Sequence, residues 1–125
     1  AFVEKLVALD LDHNPADVIN INHRESLPAE KAYARAAERT RDGVTAWICA
    51  ADHQAYELIE YFEKTGLRVP RDVSVAGFDG ISRPPGAPLL STVQIPYHQI
   101  GLTGGKRLLD LVMKRFDSTQ HILLD

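Results

Sequence analysis

The sequence predicts an α/β domain, a parallel sheet flanked by helices, on three observations. Segments of helical spacing alternate with short β-branched or apolar runs, the order that βαβ units produce. The run Thr45-Ala46-Trp47-Ile48-Cys49-Ala50-Ala51 is continuously apolar, the pattern of a strand buried on both faces. Composition is that of an ordinary soluble globular chain, 45% apolar and 25% charged over 125 residues, enough for one small domain with a core.

The elements follow in order. Residues 1–9 read as the end of a helix, and Asp10 to Asp17 as a polar loop broken by Pro15. Val18-Ile19-Asn20-Ile21 reads as a short strand. Ser26 is the candidate N-cap of the next helix, with Pro28 in its first turn. In that helix Ala29, Ala32, Tyr33, Ala36 and Ala37 recur at helical spacing. Small side chains on this stripe let a helix lie close to a sheet. Gly43 is a natural stop.

After the strand 45–51, Asp52 can cap a helix whose stripe is Ala55, Leu58, Ile59 and Phe62, ended by Gly66. The turn 67–72 leads to the strand Val73–Phe78. Residues 80–90 hold Gly80, Pro84, Pro85, Gly86 and Pro88 and form an irregular loop. Ser91 to Ile95 is a further strand, and a last helix spans about 98–116. Gly101, Gly104, Gly105, Leu108, Leu109, Val112 and Phe116 share one face of it. Each glycine lowers helix propensity by roughly 1 kcal/mol, so close packing is expected there. Residues 121–125 read as the start of another strand. The chain opens in apparent mid-helix and stops within that strand, so a piece of a longer protein is expected.

Charge and motifs narrow the function. The formal charge is −3, from 14 basic and 17 acidic residues, without the clustered basic patch of a DNA-binding surface. The single cysteine, Cys49, allows no intrachain disulfide and reads as a small buried hydrophobe. No stretch approaches the ~20 apolar residues of a membrane span, and no signal peptide opens the chain; both fit a cytoplasmic protein. Asp10-Leu11-Asp12-His13-Asn14 begins like an EF-hand loop, but Pro15 replaces the required glycine and Ile21 the closing glutamate. Gly101 to Lys106 is a phosphate loop only in outline: Ile100 stands at its first glycine and Arg107 at its Ser/Thr. The five histidines (His13, His23, His53, His98, His121) show no metal-ligand spacing. No catalytic or cofactor motif is present, so neither an enzyme nor a cofactor is expected.

Ligands of open α/β sheets bind beyond the carboxyl ends of the strands. Asp52 and Asp79 occupy that rim, following the strands 45–51 and 73–78. A carboxylate there accepts hydrogen bonds from sugar hydroxyls or nucleobase amino groups. Asp52 reads first as a helix cap and second as a ligand contact. Asp79, followed by Gly80 and a proline-rich loop, is either a turn-forming aspartate or a ligand contact.

Three blocks carry a resemblance. Thr45 to Ala55 resembles "TAIFAANDxxA". Gly66-Leu67-Arg68-Val69-Pro70-Arg71-Asp72-Val73-Ser74-Val75-Ala76-Gly77-Phe78-Asp79-Gly80-Ile81 resembles "GLRVPEDVSVVGFDDI". Pro88 to Pro96 resembles "PPLTTVRQP", with Gly101 at the glycine that follows. Together they cover residues 45–101 and resemble the effector-binding domain of the lactose-repressor (LacI/GalR) family of transcription regulators.

That resemblance implies a type I periplasmic-binding-protein-like fold of two α/β subdomains with effector between them. Residues 1–94 would be the C-terminal subdomain, 95–119 the crossover and a helix of the N-terminal subdomain, and 120–125 the start of the return crossover. The resemblance further implies a small-molecule effector, by default a sugar, and operator DNA bound through an N-terminal helix-turn-helix domain outside this chain. It implies a homodimer formed partly through Tyr56, Glu60 and Glu63, a face that residue pattern alone reads equally as solvated. Asp79 matches the family's effector-binding aspartate. Ala51 replaces a family asparagine that contacts ligand, and Ile95 replaces a polar residue that reaches the cleft, two departures toward a less polar site. His23, Arg24 and Ser26 lie near a further contact segment, with Arg24 its candidate ligand residue. The same fold without a DNA-binding domain serves as the periplasmic sugar-binding protein of a transporter, and that is the alternative.

Overall fold

The computed structural model describes residues 2–11, 14–21 and 28–113. Helix α1 spans Phe2–Ala8, and a 3-10 turn spans Pro15–Asp17. Then come α2 (Ala29–Arg41), β1 (Ala46–Ile48), α3 (Asp52–Lys64), β2 (Ser74–Asp79), β3 (Ser91–Gln94) and α4 (Tyr97–Val112). The three strands form one sheet in the order β1-β2-β3. β1 and β2 are parallel, with Ala46 opposite Ser74 and Ile48 opposite Ala76. The chain divides into two compact units, residues 1–93 and 94–125.

The first unit is built around the stripes of α2 and α3. Ala32, Tyr33, Ala36 and Ala37 of α2 are buried, as are Ala55, Leu58, Ile59 and Phe62 of α3. With Val73 and Val75 they make the core, and Trp47, Ile19, Ile21 and Leu90 pack around it. Polar groups at its edge are paired. The Tyr33 hydroxyl donates to Glu57 Oε2 at 2.7 Å, tying α2 to α3. Trp47 Nε1 donates to Thr40 Oγ1 at 2.9 Å, and Thr40 Oγ1 donates to the Ala36 carbonyl at 2.8 Å. Burial and the neighbouring Glu57 carboxylate push the Tyr33 phenol well above its ordinary range. Gly43 and Gly66 end α2 and α3 in the left-handed region, at φ +118° and +85°.

Several expectations are corrected. Val18–Ile21 takes no part in a strand. Its alternation arises because Ile19 and Ile21 pack on the core. The 3-10 turn just before it is held by side chains of α2: Arg39 Nε pairs with Asp17 Oδ1 and Arg35 reaches the Ala16 carbonyl. β1 is shorter than 45–51, and Ala46 and Ile48 are exposed. Its apolar run therefore does not reflect burial on both faces here. α2 starts at Ala29 behind Pro28, with no side-chain cap; Ser26 lies outside the described residues. β2 spans 74–79 rather than 73–78, and β3 ends at Gln94 rather than Ile95.

The second unit contains α4. No residue of α4 is buried, and nothing lies within 4 Å of a Cβ placed on Gly101, Gly104 or Gly105. Among the described residues, nothing supplies the close packing expected at those glycines. Residues 114–116 of the expected helix and the expected strand at 121–125 lie outside the described residues.

Candidate functional site

The carboxyl edge of β1 and β2 is where the acids gather. The Cys49 amide donates to the Ala76 carbonyl at 2.8 Å, carrying the ladder one residue past β1. Ala51 then caps α3 in extended geometry (φ −150°, ψ 149°) without a side-chain cap bond. Asp79 ends β2, half-buried, on left-handed backbone at φ +132°. Gly80 follows at φ +72°. A non-glycine residue in that region is strained by about 1–3 kcal/mol, and such strain concentrates at ligand clamps and active sites.

Asp52 is not the helix cap. It is the first residue of α3 and only 1% exposed. Its Oδ1 accepts from the Thr92 hydroxyl at 2.5 Å, and its Oδ2 accepts from the Ile81 amide at 2.9 Å. The Gly80 amide donates to the same Thr92 hydroxyl at 3.3 Å. Burial by itself would raise the Asp52 carboxyl, but bonds from Thr92, Ile81 and Gly80, with His53 nearby, outweigh it. The carboxyl therefore stays below the usual aspartate range and is charged at neutral pH. The first turn of α3 favours that charge as well. Gly77 makes the approach possible: a Cβ there would meet Asp52 Oδ1 at 2.2 Å and the Asp52 Cα at 3.2 Å.

The structure thus brings together Asp52, Gly77, the Asp79–Ile81 turn and Thr92. Asp79 ends β2, and Ala51 caps α3 in the short connection that follows neighbouring β1. Ile95 is half-buried in the second unit, where its carbonyl accepts from the Tyr97 amide at 2.8 Å. His23 and Arg24 lie outside the described residues. Tyr56 is half-buried while Glu60 and Glu63 are exposed, and Glu60 pairs with Lys64. Thr92 and Gly77 were not anticipated as site residues. Gly77 carried a readable signal, since a glycine inside a strand marks a close approach.

Cys49 is a free thiol, and burial pushes it up to about 11. It is therefore a poor nucleophile at neutral pH. Among the described residues no group of three or more His, Cys, Asp or Glu could hold a metal ion. No described helix is long and apolar enough to cross a membrane.

Residues 5–125 match the family profile described as "Periplasmic binding protein-like domain". The chain belongs to that family. Within it, the kinship is with regulators of the lactose-repressor type. The chain is 37% identical over 82 residues to the HTH-type transcriptional repressor PurR of Photobacterium profundum, covering 65% of this chain and 23% of that protein. It is 32% identical over 112 residues to the PurR of Aliivibrio salmonicida, covering 89% and 33%. It is 31% identical over 86 residues to the HTH-type transcriptional regulator RegA of Clostridium acetobutylicum, covering 68% and 26%. Among solved structures, the transcriptional regulator CelR in complex with cellobiose superposes at a TM-score of 0.77. That match has 22% identity and covers 93% of this chain and 35% of CelR, a likeness of fold. The chain spans about a quarter to a third of the length of these relatives.

Proposed function

We propose that this chain is the larger part of the effector-sensing C-terminal subdomain of a bacterial transcription regulator, with Asp79 as its principal effector contact. The carrying observation is the Asp79 carboxylate, held at the carboxyl edge of β2 on strained backbone at φ +132°. In this reading residues 1–94 form the subdomain and 95–119 cross to its partner. The whole protein binds operator DNA through an N-terminal helix-turn-helix domain, dimerises partly through Tyr56, Glu60 and Glu63, works in the cytoplasm and catalyses no reaction. The names of its relatives support a regulator over a transporter's binding protein. Effector binding shifts the DNA-binding state only through differential affinity for two conformations.

The effector is a sugar or a related polar molecule. Ala51 and Ile95 in place of polar contacts make the site less polar than a typical sugar cleft, so nucleobases are tested beside sugars. The test is a thermal-shift series on the gene's complete protein product with cellobiose, glucose 6-phosphate and guanine, repeated on Asp79→Ala. A ligand of the folded state raises the melting temperature by mass action. A shift lost in Asp79→Ala supports the reading. A shift that survives overturns the site, and silence from a panel widened across both classes overturns the effector class.

A further inference from the structure

We infer that Asp52 is a positioning residue for this rim and not an effector contact. Through Thr92 it fastens the turn that carries Asp79 to the strand leading into the second unit. The observation is the convergence of three segments on one buried carboxylate. Asp52 Oδ2 takes the Ile81 amide and Oδ1 takes the Thr92 hydroxyl. That hydroxyl takes the Gly80 amide as well. Both residues after Asp79 are thus fixed by their backbone N–H groups, one directly and one through Thr92. A side chain that is 1% exposed with both oxygens engaged has no face left for a ligand. Its geometry does the opposite work, holding two amides of a left-handed turn that would otherwise relax toward extended backbone. Gly77 supports the assignment, since no side chain fits between β2 and this carboxylate. Because β3 carries Thr92 and ends at Gln94, where the second unit begins, one carboxylate joins the rim to the exit strand.

The functional weight of the rim rests on the proposed role of Asp79, and the test separates the two. Hydrogen exchange by mass spectrometry is measured on the complete protein without effector, for the parent, Asp52→Ala, Asp52→Asn and Thr92→Val. The peptide over residues 79–83 is compared with a core peptide over 54–62. In Asp52→Ala and Thr92→Val the rim peptide exchanges about tenfold faster or more, the factor for losing a hydrogen bond to a charged group. The core peptide keeps its parent rate. Asp52→Asn keeps a carbonyl acceptor for the Ile81 amide and recovers most of the protection. Unchanged rim exchange in both Asp52→Ala and Thr92→Val overturns the proposal. Equal acceleration of rim and core also overturns it, because it marks general destabilisation. The ligand panel is then repeated on Thr92→Val. A parent that answers no ligand sinks the effector reading while the exchange result still decides the brace. A parent that answers, with Thr92→Val answering as strongly despite a loosened rim, overturns positioning.

Discussion

Helices α3 and α4 are both amphipathic, yet they meet different fates. α3 buries six residues: Asp52, Gln54, Ala55, Leu58, Ile59 and Phe62. α4 buries none, and Leu102, Leu108, Leu109 and Val112 are more than half exposed. Periodicity records which face of a helix seeks cover. It does not record whether the cover lies in the same stretch of chain. α3 finds its cover in β2 and α2, while the matches to this chain span only 23% and 33% of the two PurR relatives.

The largest effect expected from this contrast is at Phe62, fully buried in the core of the first unit. Phe62→Ala should cost about 3–5 kcal/mol in a denaturant melt; a cost near zero would mean α3 is no better covered than α4. Next is Gly77→Ala, which drives a methyl into Asp52 and should cost about 1–3 kcal/mol. Part of that loss should return in the Gly77→Ala, Asp52→Ala double variant, where the opposing oxygen is gone.

A smaller effect is expected at the rim. Asp79→Gly relieves backbone at φ +132°. It should cost less in melting temperature than Gly77→Ala, because relieved strain offsets the side chain's lost interactions, while abolishing the effector response. A fall as large as that of Gly77→Ala would show that the side chain contributes more to the fold than its strained backbone costs. Acid gives a related expectation. Because the Asp52 carboxyl is depressed in the folded state, its contribution is complete above the unfolded aspartate value of about 3.9 and fades as pH falls through the lower folded value. Rim protection, taken relative to the intrinsic exchange rate at each pH, should therefore hold at pH 5 and be lost only below the usual carboxylate range. The smallest effect is Leu108→Ala, under about 0.5 kcal/mol in this chain because the side chain is exposed. If the same change in the complete protein costs as much as Leu58→Ala, the missing cover of α4 lies in the rest of the protein.

The stripes of α2 and α3, the stops at Gly43 and Gly66 and the strand beginning near Val73 were all legible, because each depends on local spacing or on a glycine conformation. The position of Asp79 at the carboxyl edge of β2 was legible for the same reason: it follows a readable strand. What escaped depends on distant partners. Val18–Ile21 alternates as a strand does, but its alternate residues are half-buried against the core outside any strand. Asp52 stands where caps stand, yet its partners are 29 and 40 residues away, beyond any local pattern. Thr92 looks like an ordinary strand threonine until Asp52 is placed beside it.

That separation sets an order of assembly. The α3 stripe and β2 are complete once residue 79 has been made, but the carboxylate at the head of α3 then still lacks donors supplied by residues 80, 81 and 92. Until Thr92 emerges, burying Asp52 would seal in a poorly compensated charge, which costs several kcal/mol. A chain that stops before residue 92 lacks the Thr92 hydroxyl, so Asp52 Oδ1 loses the donor that joins it to β3.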